Sequence, residues 1–301
     1  MKKFLSMLVI FCIAFLCVGV VEAADNTKIR VGVFKFRSGV ANVTTDQATV
    51  VGDIFTRMLA NSERITIVSS AQLEEIANEH KIGISSGYIP PEVAAQVGKF
   101  AHCNYIVVGT VTNLNSKASS TGIWFLGLQR DKSSAAADID LIDVKSGKKL
   151  ASISEQGGTS HNGGFLNLYG LSLGKHSATG LEAGSVAELL AKITMKVRNA
   201  IGDPILVKEA SEKQITINLG TMGGAEKGVL YRIYTGSGEN EQTFAVVKVS
   251  EAKIDTCVAE IASKSSGNLS LVRVGDKVDL TNSDELKELV KHKSFTTTRE
   301  K

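Results

Sequence analysis

The chain has 301 residues, of which 43% are hydrophobic and 22% are charged, and its formal net charge is +3. This composition excludes a wholly disordered chain, because it supplies enough apolar surface for one or two packed domains. The small net charge gives no basis for bulk affinity toward nucleic acid, so we expect no nucleic-acid partner.

Residues 1–23 have the features of a secretory signal peptide. Lys2 and Lys3 precede an apolar run from Phe4 to Val21, and a small-residue cleavage site follows, so we expect cleavage close after Ala23. The mature chain is therefore predicted to cross the inner membrane and to reside in the periplasm or at the outer membrane. Beyond the signal, the sequence has no charge-free run long enough to predict a transmembrane helix.

The cysteines bear on lipidation and on disulfide bonding. Cys17 follows Leu16, which is too large for a lipoprotein signal, so we expect an unlipidated product. Cys103 and Cys257 remain in the mature chain and fall in different predicted domains. They can form one disulfide or serve as two small buried residues, and the sequence favours the second alternative.

The first part of the mature chain has the alternating strand and helix patterns of an α/β domain. Ser69 and Gln72 have the spacing of a capping box at the start of one helix. Another helix begins at Pro90 and Pro91, and its spacing predicts that Phe100 faces inward. In chain order the predicted elements are a strand over 29–36, a polar loop over 37–45, a helix through 51–59, a strand over 64–68 and helices from 69 and 90.

The following strands predict a buried sheet and then a hairpin. Tyr105 to Val111 is almost continuously apolar, which predicts cover on both faces of that strand. Strands over 137–144 and 150–154 are joined by a tight turn at 145–148. A helix follows, with a second predicted capping box at Ser185 and Glu188, and it ends at Gly202.

Residues 204–282 are predicted to form a small β-barrel domain of short strands separated by turn glycines. A linker at Asp203 and Pro204 precedes this domain. The tail, 283–301, is charged, begins with a possible helix over 284–292 and is expected to be mobile. The strands are predicted over 214–219, 229–234, 244–249, 256–262 and 277–280.

No catalytic signature or zinc-ligand spacing occurs, so we expect neither an enzyme nor a bound cofactor or metal. Asp138, Asp140 and Asp143 follow one another on a predicted strand. Alternating carboxylates on one strand face can bind a cation or line an aqueous lumen, and a solvated strand face is the simpler interpretation.

The stretch from Asn115 to Gly180 is unusual, because glycine, serine and apolar residues crowd together there with few charges. Segments 116–141 and 149–178 each have room for two membrane strands and a turn. One predicted strand alternates apolar and polar residues, as a membrane β-strand requires. Flexible surface hairpins or an oligomer contact are the alternative. The membrane-hairpin candidates are Trp124, Phe125, Leu126, Ile139, Leu141, Phe165, Leu168, Tyr169 and Leu171.

A single hairpin cannot cross a bilayer alone, because its edges would leave backbone groups unpaired in hydrocarbon at several kcal/mol each. Membrane insertion of these segments therefore demands a ring of subunits. The partners expected on this interpretation are other copies of the chain, outer-membrane lipid and an exported or envelope protein.

The order and spacing of four segments resemble the CsgG family, named for the curli-secretion channel. They are the strand from Ile29, the helix Ala71 to His80 with Lys81-Ile82, the strand from Tyr105 and the hairpin from Ile139 to Lys148. The resemblance covers most of 24–203, and it implies a TolB N-terminal/CsgG-like α/β domain with two inserted β-hairpins.

By resemblance, the protein is a non-enzymatic secretion or assembly component whose hairpins enter a shared outer-membrane β-barrel. The family's pore constriction comes from the loop after the first strand, which corresponds here to a shorter loop containing Ser38 and Asn42. The segment after Ile205 is similar to the small β-domain that ends FlgT-like proteins. The alternative function is therefore a soluble periplasmic adaptor, similar to FlgT or to penicillin-binding-protein activators, that docks on envelope machinery.

Overall fold

The computed structural model describes residues 28–84, 88–117, 132–158 and 183–299, which form an α/β unit followed by a second sheet. The predicted strands and helices are present with shifted ends. Two strands were not predicted: β2, at the start of the predicted loop over 37–45, and β7 in the second sheet. The strands are β1 (Ile29–Val33), β2 (Arg37–Ser38), β3 (Ile65–Val68), β4 (Tyr105–Lys117), β5 (Lys132–Asp143), β6 (Lys148–Gly158), β7 (Val207–Ala210), β8 (Gln214–Ile217), β9 (Leu230–Thr235), β10 (Gln242–Ala252), β11 (Cys257–Ile261) and β12 (Lys277–Thr281). The helices are α1 (Thr45–Ala60), α2 (Ser70–Glu79), α3 (Pro91–Phe100), α4 (Ala183–Ala200) and α5 (Ser283–Lys291).

The first sheet has the order β3-β1-β4-β5-β6, and the short strand β2 continues beside β4. β3, β1 and β4 run parallel, whereas β4, β5 and β6 are antiparallel neighbours. This mixed arrangement follows from the connections: helices link the parallel strands, and the tight turn after Asp143 can join only antiparallel strands. The turn itself is capped by Asp143, whose carboxylate accepts from the amide of Lys145 at 2.8 Å.

Both faces of β4 are covered, as its apolar run predicts. Val107 and Val111 belong to the hydrophobic cluster on the side of α1 and α4. Ile106 and Val108 belong to the cluster on the side of α2 and α3. Alternate residues of a strand point to opposite faces, so an unbroken apolar run stabilises a sheet only when helices lie on both sides.

The start of α2 agrees with its predicted capping box, whereas the buried face of α3 differs from the prediction. Ser69 caps α2, and its hydroxyl and the Gln72 side chain exchange hydrogen bonds with the two backbone amides. The inward orientation of Phe100 is wrong: Phe100 is 44% exposed and stacks on His80 with a centroid separation of 3.7 Å. The buried stripe of α3 centres on Ala94 and Val97, which leaves Phe100 at its margin.

The capping box predicted at Ser185 and Glu188 is also wrong. The helix α4 begins at Ala183, so Ser185 lies inside its first turn and is buried. The carboxylate of Glu188 accepts instead from the amide of Gly158 at 3.2 Å and pairs with Lys192 at 3.0 Å. The contact with Gly158 joins residues 30 positions apart, so it leaves no signature at the helix start.

The second sheet has the order β12-β9-β10-β11-β8-β7 and curls into a half-barrel. Its two edge strands approach each other. The backbone amide of Val207 donates to the backbone carbonyl of Asp276 at 2.9 Å, and the amide of Gly275 donates to the carbonyl of Val207 at 2.9 Å. Leu206 forms an isolated bridge with Lys277. These hydrogen bonds satisfy backbone N–H and C=O groups that would be unpaired at the edges of an open sheet.

The α/β unit and the second sheet share one continuous hydrophobic cluster, which runs from β1 through α4 to β10 and β11. The predicted linker lies in the joint between the two units, which is the region where the α/β unit contacts the second sheet. Asp203 is 5% exposed, and its carboxylate accepts from Arg198 at 2.9 Å and from Ser62 at 2.7 Å. A charge buried at this depth is stable only when it is paired and hydrogen-bonded, as it is here.

The described part of the tail from Ser283 forms a helix and contacts the second sheet. Its helix, α5, begins at the cap residue Asn282, whose side chain accepts from the amides of Asp284 and Glu285. Beyond the helix, Arg299 donates to both carboxylate oxygens of Asp276 at 2.8 Å. The composition of the tail indicates solvent exposure, and only the position of Asp276 in the fold supplies the partner.

Candidate functional site: the hairpin edge of the first sheet

The fold brings both candidate membrane segments to one edge of the first sheet. Residues 118–131 connect the end of β4 to the start of β5, and residues 159–182 connect the end of β6 to the start of α4. Lys117 pairs with Lys132, and Gly158 pairs with Ser134 only two residues away along β5. We call this end of the sheet, where the two segments leave and return, the hairpin edge.

Gly157 holds the base of the second segment against α4. A Cβ atom at this position would overlap the carbonyl oxygen of Ser185 and would lie 2.7 Å from the amide nitrogen of Leu189. At the neighbouring Gly158 a Cβ atom would meet nothing within 4 Å. Only a residue without a side chain therefore lets β6 approach the first turn of α4 this closely.

Glu188 connects the base of the second segment, at Gly158, to the C-terminal helix α5. It is 5% exposed, and besides Gly158 it binds Lys192, which lies 3.6 Å from Glu285 of α5. Burial alone would lower the pKa of Lys192, but the hydrogen bond and the charge of Glu188 raise that pKa above its ordinary value. Lys192 therefore stays charged and links the hairpin edge to α5.

Two membrane-hairpin candidates lie in the core of the α/β unit. Ile139 and Leu141 are 0% exposed, and together with Ala135 and Ala137 they form the apolar row of β5 in the cluster with α4. This row faces a helix of the protein's own domain, so the lipid-facing prediction is wrong for these two residues. The other seven candidates, Trp124, Phe125, Leu126, Phe165, Leu168, Tyr169 and Leu171, lie outside the described residues.

The polar row of β5 occupies the opposite face. Asp138 accepts from Ser154 at 2.6 Å, and Asp140 accepts from Ser152 at 2.7 Å and pairs with Lys149 at 2.8 Å. Asp143 lies on the other face and caps the turn, so the three aspartates do not form one set of ligands. Among the described ranges, no group of three or more His, Cys, Asp or Glu side chains could hold a metal ion.

The pore-loop candidates, Ser38 and Asn42, lie on the same side of the domain as the hairpin edge. Strand β4 runs toward that side. Ser38 belongs to β2, pairs with Val111 and donates its hydroxyl proton to the carbonyl of Val40 at 2.7 Å. Asn42 is exposed in the turn before α1. Because β2 and β4 are parallel, the loop that follows Ser38 and the end of β4 face the same direction.

A cleft of about 900 Å³ lies beneath α5, with Lys192 among its lining residues, and its other walls come from β6, β9 and β12. Its charged side chains are paired with one another: Lys196 with Glu155, Arg232 with Asp279, and Lys287 with Asp284. Such compensated pairs leave the cleft without an excess of either charge, so it offers no strong electrostatic selection for a ligand.

Sequence reasoning missed Gly157 and the partners of Glu188, although both hold the base of the second segment. A glycine pair at Gly157 and Gly158 is visible in the sequence, but only the position of α4 distinguishes the two residues. Within the residues that the structure describes, none of the helices is both long enough and apolar enough to span a membrane.

Comparison with known proteins gives a family match and distant structural similarities. The family model described as curli production assembly/transport component CsgG matches residues 16–216, from before the described region to β8. A search of curated proteins finds no match.

Three of the solved structures with similarity to this chain illustrate how distant these similarities are. The hypothetical protein CT253 from Chlamydia trachomatis is 13% identical, with 58% of this chain and 99% of that chain covered and a TM-score of 0.38. Lipoprotein GNA1162 from Neisseria meningitidis is 16% identical, with the same coverage and a TM-score of 0.32. The C-terminal domain of LpoB from Salmonella enterica is 18% identical, with 45% and 87% covered and a TM-score of 0.30. At these TM-scores the similarities support no inference about this chain.

Proposed function

Because this chain belongs to the CsgG family of curli production assembly and transport components, we propose that it is a non-enzymatic secretion or assembly component of the cell envelope. It acts as a ring of copies in which residues 115–134 and 159–182 of each copy enter the outer membrane as hairpins. The α/β unit and the second sheet remain in the periplasm.

The observation that carries this proposal is the common edge from which both segments leave. β4, β5 and β6 are consecutive neighbours, so two hairpins that continue from this edge would lie side by side in one sheet. A barrel shared between copies needs this arrangement, because each copy must add adjacent strands to the ring. Segments leaving from opposite ends of the domain could not serve it.

The lengths agree with two membrane hairpins. From Asn115 to Ser134 the chain supplies two strands of about nine residues and a short turn, which is about the length that a tilted membrane β-strand needs. The segment 159–182 supplies about ten residues for each of two strands. Copies must associate, because the outer strands of a lone pair of hairpins would expose unpaired backbone groups to hydrocarbon.

In this proposal the seven remaining hairpin candidates face lipid or form the aromatic girdle, and the loop with Ser38 and Asn42 narrows the periplasmic entrance. The second sheet forms a closed small barrel, an interpretation supported by the hydrogen bonds between Val207, Gly275 and Asp276 at its edges. The cargo is an exported or envelope protein, and no cofactor takes part.

Replacing Gly122 to Asp131 with glycine and serine in equal number tests the membrane role, because β4 and β5 stay linked at the same distance. The matched control replaces Lys145 and Ser146, in the turn at the other end of β5. We expect the first variant to lose membrane association and the rings seen by electron microscopy in detergent, while the control keeps both. A native chain that is a detergent-independent monomer would contradict the proposal.

The second candidate is a soluble periplasmic adaptor that docks on envelope machinery. The burial of Ile139 and Leu141 favours it, since most of β5 thereby belongs to the soluble domain and is not available to a membrane strand. An adaptor predicts that the variant in which Gly122 to Asp131 are replaced fractionates and binds its partners as the native chain does. The same experiment therefore separates the two functions.

A further inference from the structure

Residues 294–299 lie against the second sheet: Phe295 and Thr296 contact β10, and the chain bends at Thr297 and Thr298 before Arg299. Phe295 forms an isolated parallel bridge with Thr243, and the amide of Thr296 donates to the carbonyl of Thr243 at 2.8 Å. On the side of β10 away from β9, β11 pairs from Val247 onward, Ala245 bridges Gly267, and the carbonyl of Phe244 accepts from the amide of Asn268, so the segment contacts the strand at Thr243. The segment thus adds one bridge and one hydrogen bond at the end of this strand, which is the kind of backbone contact by which peptides bind to sheet edges.

Arg299 completes the contact at the other end of the segment. Its guanidinium donates to both carboxylate oxygens of Asp276 at 2.8 Å and to the carbonyl of Leu271 at 2.9 Å. The guanidinium carbon lies 4.7 Å from the ring centroid of Phe244. A planar guanidinium satisfies the two carboxylate oxygens, the carbonyl and the aromatic face together, which the ammonium group of lysine cannot do.

Asp276 makes the site selective for a cationic occupant. It is 2% exposed, and one of its oxygens also accepts from the amide of Arg273 at 2.7 Å. Without Arg299 its carboxylate would keep only that backbone partner. A buried carboxylate that loses its charged partner is strongly destabilising, so the empty groove favours any segment that restores a guanidinium.

The helix before this segment contributes little to its binding. None of the residues of α5 is buried, and Lys293 at the junction has a left-handed backbone conformation with φ of 50°. The contacts that hold residues 294–299 are therefore in the groove itself. The exposed junction does not itself hold the segment in place.

We propose that Thr243, Phe244, Leu271 and Asp276 form a recognition groove for a peptide segment of a partner protein, with an arginine four positions after an apolar residue. Residues 294–299 of the chain are the tethered occupant of this groove and compete with the partner. The proposal goes beyond the envelope role and requires neither a membrane nor a ring.

The occupant that displaces the tail is a different protein and not a second copy of this chain. An identical tail from another copy makes the same contacts and lacks the tether, which gives the chain's own tail an effective concentration of the order of millimolar. Only a segment that brings additional contacts outside the groove gains by displacement.

A cleavable full chain tests the groove directly. A protease recognition sequence is inserted between His292 and Lys293, which are both exposed, and the chain is cut after folding. A labelled hexapeptide with the sequence of Ser294 to Arg299 is then titrated and followed by fluorescence anisotropy. We expect saturable binding to the cut protein and binding on the order of tenfold weaker or more to the uncut protein, because the tether competes.

Two variant peptides supply the controls. The Arg299→Ala peptide should bind on the order of tenfold more weakly or worse, because it leaves Asp276 without a guanidinium. The Thr297→Ala peptide should bind as the native peptide does, since Thr297 is exposed. Equal binding of the native and Arg299→Ala peptides, or no binding to a cut protein that keeps its melting transition, overturns the proposal.

A second measurement applies if the cut protein loses its fold. The intact chain carries a fluorophore on Thr297→Cys, and excess native hexapeptide is expected to displace the labelled tail, whereas the Arg299→Ala peptide leaves it in place. No displacement by millimolar native peptide overturns the proposal. Exchange of labelled and unlabelled tails between intact copies at micromolar concentration would assign the groove to a second copy and overturn the choice of partner.

Discussion

The two cysteines of the described chain are buried, free thiols in separate parts of the fold. Cys103 lies between α3 and the first sheet, and Cys257 lies in the core that the two sheets share. Burial raises the pKa of the Cys103 thiol to about 11 and that of Cys257 to about 12. Both behave as small apolar residues, because the folded environment disfavours the thiolate.

The raised pKa of Cys257 predicts a loss of stability in alkaline solution. Above its ordinary pKa of 9.0 the unfolded chain releases a proton that the folded chain keeps until about pH 12, so the unfolded state binds fewer protons. The free energy of unfolding therefore falls as pH rises from 9. Between pH 8 and pH 10, the free energy of unfolding measured in urea should fall less for Cys257→Ala than for the native chain. Equal decreases would contradict the assignment of the effect to Cys257.

At the scale of elements, the contact between β6 and α4 determines how the second hairpin segment leaves the domain. Gly157 allows the close approach, and Glu188 closes it by binding the amide of Gly158. The contact is backbone against backbone, so neither element can move aside to admit a side chain. Helix α4 in turn covers the apolar row of β5 and thereby decides which residues belong to the core.

The two adjacent glycines provide a matched pair of variants. Gly157→Ala should destabilise the protein by about 1 to 3 kcal/mol, because the new methyl group overlaps the backbone of α4. Gly158→Ala should change stability by less than about 0.5 kcal/mol, because its Cβ meets open space. Urea unfolding monitored by circular dichroism measures both. Similar losses of unfolding free energy for the two variants would mean that β6 and α4 do not approach each other closely at Gly157.

At the scale of the whole molecule, the α/β unit and the second sheet behave as one packed body. Their cores are continuous, and the chain between them is fixed at Asp203 by Arg198 and Ser62. The amide of Leu280 in β12 approaches the sulfur of Met195 in α4 at 3.1 Å, which adds a contact across the same joint. Two units joined in this way are expected to unfold together.

Removal of the buried carboxylate at the joint tests this cooperativity. Asp203→Ala should cost about 3 to 5 kcal/mol, because it leaves Arg198 buried without its partner. Glu209→Ala, at an exposed position of β7, is the control and should cost less than about 0.5 kcal/mol. Hydrogen exchange followed by mass spectrometry should show both sheets of the native chain opening together. Independent opening of the second sheet would contradict a single cooperative body.

The sequence by itself determined most of the strands, helices and turns, because periodicity, capping residues and turn residues act locally. The capping box at Ser69 and the covered strand β4 are examples. A local pattern shows that an apolar row needs cover, but it does not show what covers it. Only the tertiary structure therefore decided that Ile139 and Leu141 face α4, that Glu188 binds the base of a hairpin, and that Arg299 binds Asp276. Each of these contacts joins residues distant in sequence, whose mutual position depends on the packing of the whole chain.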